Sequence, residues 1–253
     1  MLQHRVYGCM KYTSILPFVC VFLGLSQVLF GQEEDLNQEE YVERLTILDA
    51  GFTIADPLFP FNRHAQGVMY GAELGAYFQL NADHPYAIGL DLSYHYIDGH
   101  SVFFTDNIDG EIVDLEEKAY TNVASFLPSL RFYPQVNLGK IRPYVQLSLG
   151  GKLFFTNIRL TDTDGGDFVN ENDIEGTSFS WTYGGGIGAH IELGSFVWLN
   201  FRATALPGVS TEFYRKLDDE DIPETDFAID GFEKVNTTTP MMRYSIGVSF
   251  MIW

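Results

Sequence analysis

The residues of this chain that could carry chemistry are acids, bases and histidines, because its two cysteines sit within the first twenty positions. Asp162-Thr163-Asp164-Gly165-Gly166-Asp167 spaces carboxylates like a calcium loop. An EF-hand, however, needs a ligand where Gly166 stands, glycine where Asp167 stands and glutamate where Asp173 stands. The motif fails, which leaves open a looser divalent-cation site or a solvated, repulsive rim. Asp218-Asp219-Glu220-Asp221 is an acidic run mixed with Phe213, Tyr214, Phe227 and Phe232, a composition better suited to docking a partner than charge alone. His64, His84, His95, His100 and His190 have no metal-ligand spacing. No metal, cofactor or catalytic residue is therefore expected, and Asn236-Thr237-Thr238 reads as a glycosylation sequon, which means little if the cell is bacterial.

A second ionic set is interleaved with apolar residues: Asp49, Glu73, Asp91 and Glu192, together with Arg131, Lys152, Arg202 and Arg243. Each stands in a stretch where apolar side chains recur at every second position, at about 44–55, 67–80, 86–97, 119–133, 142–158, 179–193, 196–206 and 239–253. Period two is the strand period and puts one chemistry on each face. In the last stretch Met242, Tyr244, Ile246, Val248, Phe250 and Ile252 share one parity, while Arg243, Ser245, Gly247 and Ser249 share the other.

The links alternate. Residues 81–85, 134–141 and 194–195 are short, whereas the links after the first, third, fifth and seventh stretches are long. That alternation predicts an all-β fold, an eight-stranded antiparallel up-and-down transmembrane β-barrel with short turns on the periplasmic side and long loops outside. Of the 34 acids, 22 fall in 98–117, 159–177 and 207–237, so the outer rim should be strongly negative. Closure is required because a sheet edge in lipid would leave backbone groups unbonded.

The apolar face carries aromatics at two levels. Tyr94, Tyr96, Phe155, Trp181 and Tyr244 are expected near the outer interface, and Phe78, Tyr86, Phe132, Phe196 and Phe250 near the inner one. A water-soluble barrel with a ligand cavity is the alternative, but it would turn its larger apolar residues inward. The polar parity then places the eight ionic residues in the lumen, four acids against four bases. They form either a salt-bridged plug or a gated or catalytic network, with Arg243 neighbouring Asp49 once the barrel closes. Buried charge is costly unless paired, which favours the plug. No Ser/His/acid trio stands on the lipid parity, so the chain is not expected to be an enzyme.

Residues 1–31 are read as a signal peptide: basic His4, Arg5 and Lys11, an apolar Ile15–Leu25, and Gly31 before Gln32. A polar segment, 32–43, precedes the barrel at 44–253. Phe18-Val19 before Cys20 lacks the small residue of a lipobox. The leader holds 2 of 15 Lys+Arg and none of 34 Asp+Glu, so the mature charge is 13 − 34, or −21, which excludes nucleic acid as a partner.

These residues resemble the OmpA/OmpX-like eight-stranded barrels and, more closely, the outer-membrane β-barrel proteins of Bacteroidetes, including the PorT-like group. The resemblance is carried by Gly67 to Gly75, Phe126-Leu127-Pro128 before Leu130-Arg131-Phe132-Tyr133, Arg142-Pro143-Tyr144-Val145 leading to Gly150-Gly151, the Gly184–Gly188 run, and Tyr244 to Phe250. It implies residence in the Gram-negative outer membrane among its lipids, insertion by the barrel-assembly machinery, and both termini in the periplasm. Trp253 departs from the pattern, standing on the opposite parity from Phe250. The expected role is display of acidic loops for adhesion, partner docking or surface integrity. The alternative is a narrow transport channel or an accessory subunit of a secretion machine.

Overall fold

Alternating stretches rich in branched and aromatic residues favour extended chain, and each pairs with its neighbour through backbone hydrogen bonds. The computed structural model describes residues 45–252 apart from 66, 81–84, 109–110, 137, 163–169, 219 and 226. The leader, the polar segment, most of the Asp162–Asp167 motif, His84 and Trp253 lie outside the described residues.

The strands are β1 (Thr46–Pro57), β2 (Met69–Gln79), β3 (Tyr86–Ile108), β4 (Glu111–Phe132), β5 (Ile141–Asp162), β6 (Asn170–Glu192), β7 (Val197–Leu206), β8 (Ser210–Lys216), β9 (Phe232–Thr238) and β10 (Met241–Ile252). Eight of them close a barrel in the order β1-β10-β7-β6-β5-β4-β3-β2, while β8 and β9 form a separate hairpin. The seam is antiparallel and unbroken, from Thr46 opposite Ile252 to Pro57 opposite Met241.

The barrel turns its bulk outward. Leu74, Leu147, Leu149, Trp181, Tyr183 and Ile187 are each at least 60% exposed, while Asp91, Arg131, Lys152 and Arg243 are fully buried. A wall with that polarity is stable only against hydrocarbon. The girdle residues are exposed at both levels, save Phe155, which is half-buried.

Two of the long links are not loops. β3 and β4 run on as a ladder to Ile108 and Glu111, and β5 and β6 to Thr161 and Asn170, well beyond the membrane segment. Bulges between Tyr96 and Asp98, and next to Asn157, reset the phase of these ladders. An extra residue flips the inside–outside alternation, which hides the continuation from a single-parity reading. Beyond the first bulge Val102 faces inward and packs with Ala119, Ile158, Ala228, Ile229 and Phe232. The Pro207–Thr238 link, expected as one acidic loop, holds β8, β9 and a 3-10 turn at Ala228–Gly231 that supplies much of this contact.

Candidate functional site: the ionic layer of the lumen

Three levels fill the barrel. At the short-turn end Leu45, Ile47, Tyr77, Ala87, Trp198 and Met251 pack together. At the long-hairpin end Ala55, Met69, Ile97, Val123, Phe154, Leu206 and Met241 meet Phe61 from the β1–β2 link and Phe213 from β8. Phe213 lies 5.4 Å from Phe61 and 5.3 Å from Phe154, ring centre to ring centre. Between these apolar layers sit the charges.

Alternation on six strands aims the ionic groups at one level. Arg131 on β4 reaches Asp49 on β1 at 2.7 Å. Arg202 on β7 bridges Glu73 on β2 at 2.6 Å and Asp91 on β3 at 2.7 Å. Arg243 on β10 approaches Asp91 at 3.5 Å and Glu73 at 3.8 Å. Three carboxylates thus balance three guanidiniums in a buried network, where an unmatched charge would be costly.

Gln146 on β5 joins the pairs. Its Nε2 donates to Asp91 Oδ2 at 2.5 Å, and its Oε1 accepts from Arg131 Nε at 2.9 Å and from an Arg202 amino group at 3.0 Å. Two tyrosines enclose Arg131, whose guanidinium carbon lies 3.4 Å from the Tyr77 ring centre and 4.5 Å from that of Tyr144. Such stacking favours a desolvated cation. Glycine makes the space: a Cβ on Gly89 would stand 2.7 Å from Tyr77 Cγ, and one on Gly188 would collide with the Tyr144 ring. His190 stacks on Tyr144 at 4.8 Å and stands 3.8 Å from Asp49, while His95 meets Thr53 at 3.4 Å.

Three expectations need correction. Glu192 is only half-buried, at the short-turn rim opposite Trp198, outside the ionic layer. Lys152 meets backbone oxygen rather than an acid, donating to the carbonyls of Leu206 at 3.0 Å and Thr239 at 2.6 Å. Arg243 does not neighbour Asp49, because closure sets Asp49 opposite Ser249, whose hydroxyl donates to it at 2.6 Å, and Arg243 opposite Ala55. That register separates the two by six residues, about 20 Å along the strand. Tyr77, Tyr144 and Gln146 are the partners that charge counting misses. Their signal was position: each lies on the inward parity of a strand that also carries a lumen charge, Glu73 or Lys152.

Among the described residues no group of three or more His, Cys, Asp or Glu is placed to hold a metal ion. Most of the network's donors and acceptors are spent on one another, although Asp91 Oδ1, Arg131 Nη1 and Arg202 Nε have no hydrogen-bond partner. Chemically the layer is a polar plug with an apolar lid on either side.

No protein-family model and no curated protein matches the chain. Solved structures similar to it include Neisserial surface protein A (13% identity, 83% of this chain and 99% of that one, TM-score 0.37). Others are the outer membrane protein OprG from Pseudomonas aeruginosa (13%, 83% and 97%, TM-score 0.43) and the E. coli outer membrane protein W (12%, 84% and 100%, TM-score 0.39). By its own closed strand order and apolar outer wall, the chain is an eight-stranded antiparallel up-and-down transmembrane β-barrel.

Proposed function

We propose that the protein is a non-conducting, non-enzymatic barrel of the Gram-negative outer membrane that presents a folded acidic cap outside the cell for adhesion, partner docking or surface integrity. The observation that carries this reading is the lumen, where ion pairs of 2.6 to 2.7 Å lie between two apolar layers. A channel needs a continuous polar path, and a catalytic site needs groups that a substrate can reach. The short turns then face the periplasm with both chain ends, and the extended hairpins face out. Export by the leader at 1–31, insertion by the barrel-assembly machinery and kinship with the PorT-like barrels of Bacteroidetes belong to the same proposal, supported by the sequence motifs.

The cap gives the docking role a physical basis. The β3–β4 segment 98–118 carries seven acids and one lysine, a formal 1 − 7 = −6, and its described residues, all but 109–110, form a paired ladder rather than a loose loop. A rigid scaffold positions charge at a smaller entropic cost on binding than a flexible segment does. Planar-bilayer recording tests the sealed lumen. The expected outcome is an unchanged baseline after insertion, and discrete conductance steps would overturn it in favour of the narrow channel.

A further inference from the structure

We infer that the lumen holds one monovalent inorganic anion of the chloride class beside Lys152, on the long-hairpin side of the ionic layer. The inference goes beyond display of the cap and uses only residues inside the barrel. Its basis is a charge imbalance. Arg131, Arg202 and Arg243 are matched by Asp49, Glu73 and Asp91, and all six are buried. Lys152 is a fourth fully buried cation for which the layer has no acid left. Glu192, the other acid on the inward parity, stands at the opposite, short-turn rim.

The surroundings of Lys152 sharpen the imbalance. The ionised group that acts on it is Arg243, and those that act on His95 are Arg243 and Lys152. Two of the three ammonium hydrogens go to the Leu206 and Thr239 carbonyls, which solvate the charge without cancelling it. A buried ion with no counter-charge is costly in a dry interior.

Unspent hydroxyls stand next to these cations. Ser125 lies directly opposite Lys152 across β4 and β5, and Thr204 directly opposite Arg243 across β7 and β10. They are 4% and 0% exposed, and neither hydroxyl has a hydrogen-bond partner among the described residues. Paired residues share a face, so each hydroxyl is aimed inward beside the cation opposite it. Hydroxyl and ammonium hydrogens are donors that a halide accepts, and one negative charge brings four cations and three carboxylates to neutrality. Water would satisfy the hydroxyls but leave the charge unbalanced. The aromatic lid of Phe61, Phe154 and Phe213 lies above this level and the ionic layer below it, so the ion is enclosed as the barrel folds.

The test refolds the full chain into detergent micelles in sodium chloride, sodium bromide or sodium gluconate at equal ionic strength. An ion bound by the folded state alone acts by mass action, so each tenfold rise in halide above its Kd should raise the folded-to-unfolded ratio about tenfold. Gluconate is too large for the lumen and should give no such rise. Urea unfolding read by the heat-modifiable band measures the ratio, and the halide gain should vanish in K152M. Crystals grown from bromide should show an anomalous peak within hydrogen-bonding distance of Lys152 Nζ. No halide gain, an equal gain in K152M, or a bromide crystal without that peak would each overturn the inference in favour of a hydrated or uncharged lysine. S125A/T204A keeps every lumen charge and serves if K152M does not fold. Its halide gain should shrink, and an undiminished gain would overturn the site by placing the ion elsewhere.

Discussion

Gln146 donates to Asp91 at 2.5 Å and accepts from two arginines that are themselves paired with acids, so one neutral amide fixes the geometry of the charged layer. Its neighbours are all buried. Replacement by leucine keeps the volume and removes both the donor and the acceptor. Q146L should lower stability by about 3 kcal/mol, the cost of leaving charged groups short of partners in a dry site. Urea unfolding in detergent micelles, followed by the heat-modifiable band, measures this, and a loss below 1 kcal/mol would show that the amide is dispensable.

Arg202 binds two carboxylates with no solvent access, whereas Arg215 pairs with Glu233 at 2.5 Å on the partly exposed β8–β9 hairpin. R202A should cost about 3 to 5 kcal/mol because it strands buried Glu73 and Asp91. R215A should cost under about 1 kcal/mol, since water screens its pair. Equal losses in parallel urea titrations would contradict a buried network.

Phe61 and Phe213 close the long-hairpin end over the charges. F213A should cost about 3 to 5 kcal/mol as a large-to-small core change. The double variant F61A/F213A should still pass no current, because the ionic layer beneath remains shut. Conductance steps from the double variant alone would move the seal to the aromatic lid.

Lys152 tethers the start of the β7–β8 connection and the entry to β10 through the Leu206 and Thr239 carbonyls. K152M removes a charged donor from two acceptors and should cost about 2 kcal/mol. It should also quicken limited proteolysis within Pro207–Thr238, read as the rate at which the intact band disappears. An unchanged cleavage rate would show that these two hydrogen bonds do not hold the link in place.

Glu117 lies in the cap, where its carboxylate accepts from the Ala228 backbone N–H at 2.8 Å. Burial raises its pKa above the ordinary glutamate range, outweighing the hydrogen bonds from Ala228 and Ile229 that lower it. A carboxyl raised in the folded state contributes stability that is present below its unfolded pKa and lost as pH rises through the folded value. Relative to E117Q, the wild-type cap should therefore weaken from acid towards neutral pH. Cap proteolysis rates for the two proteins across that range report the difference, and a ratio independent of pH would refute the linkage.

The sequence by itself determined the eight-stranded wall, which face meets lipid, and the inward aim of Asp49, Glu73, Asp91, Arg131, Lys152, Arg202 and Arg243. Strand alternation is local, so parity alone turns each side chain in or out. Only the tertiary structure decided who meets whom. Contacts across a closed barrel depend on the stagger at the seam, which set Arg243 against Glu73 and Asp91 rather than Asp49. It also decided that the acidic links are paired strands, because bulges reset the alternation and Ala228, Ile229 and Phe232 arrive from more than 100 residues away to cover the inner face of the β3–β4 extension at Val102 and Ala119.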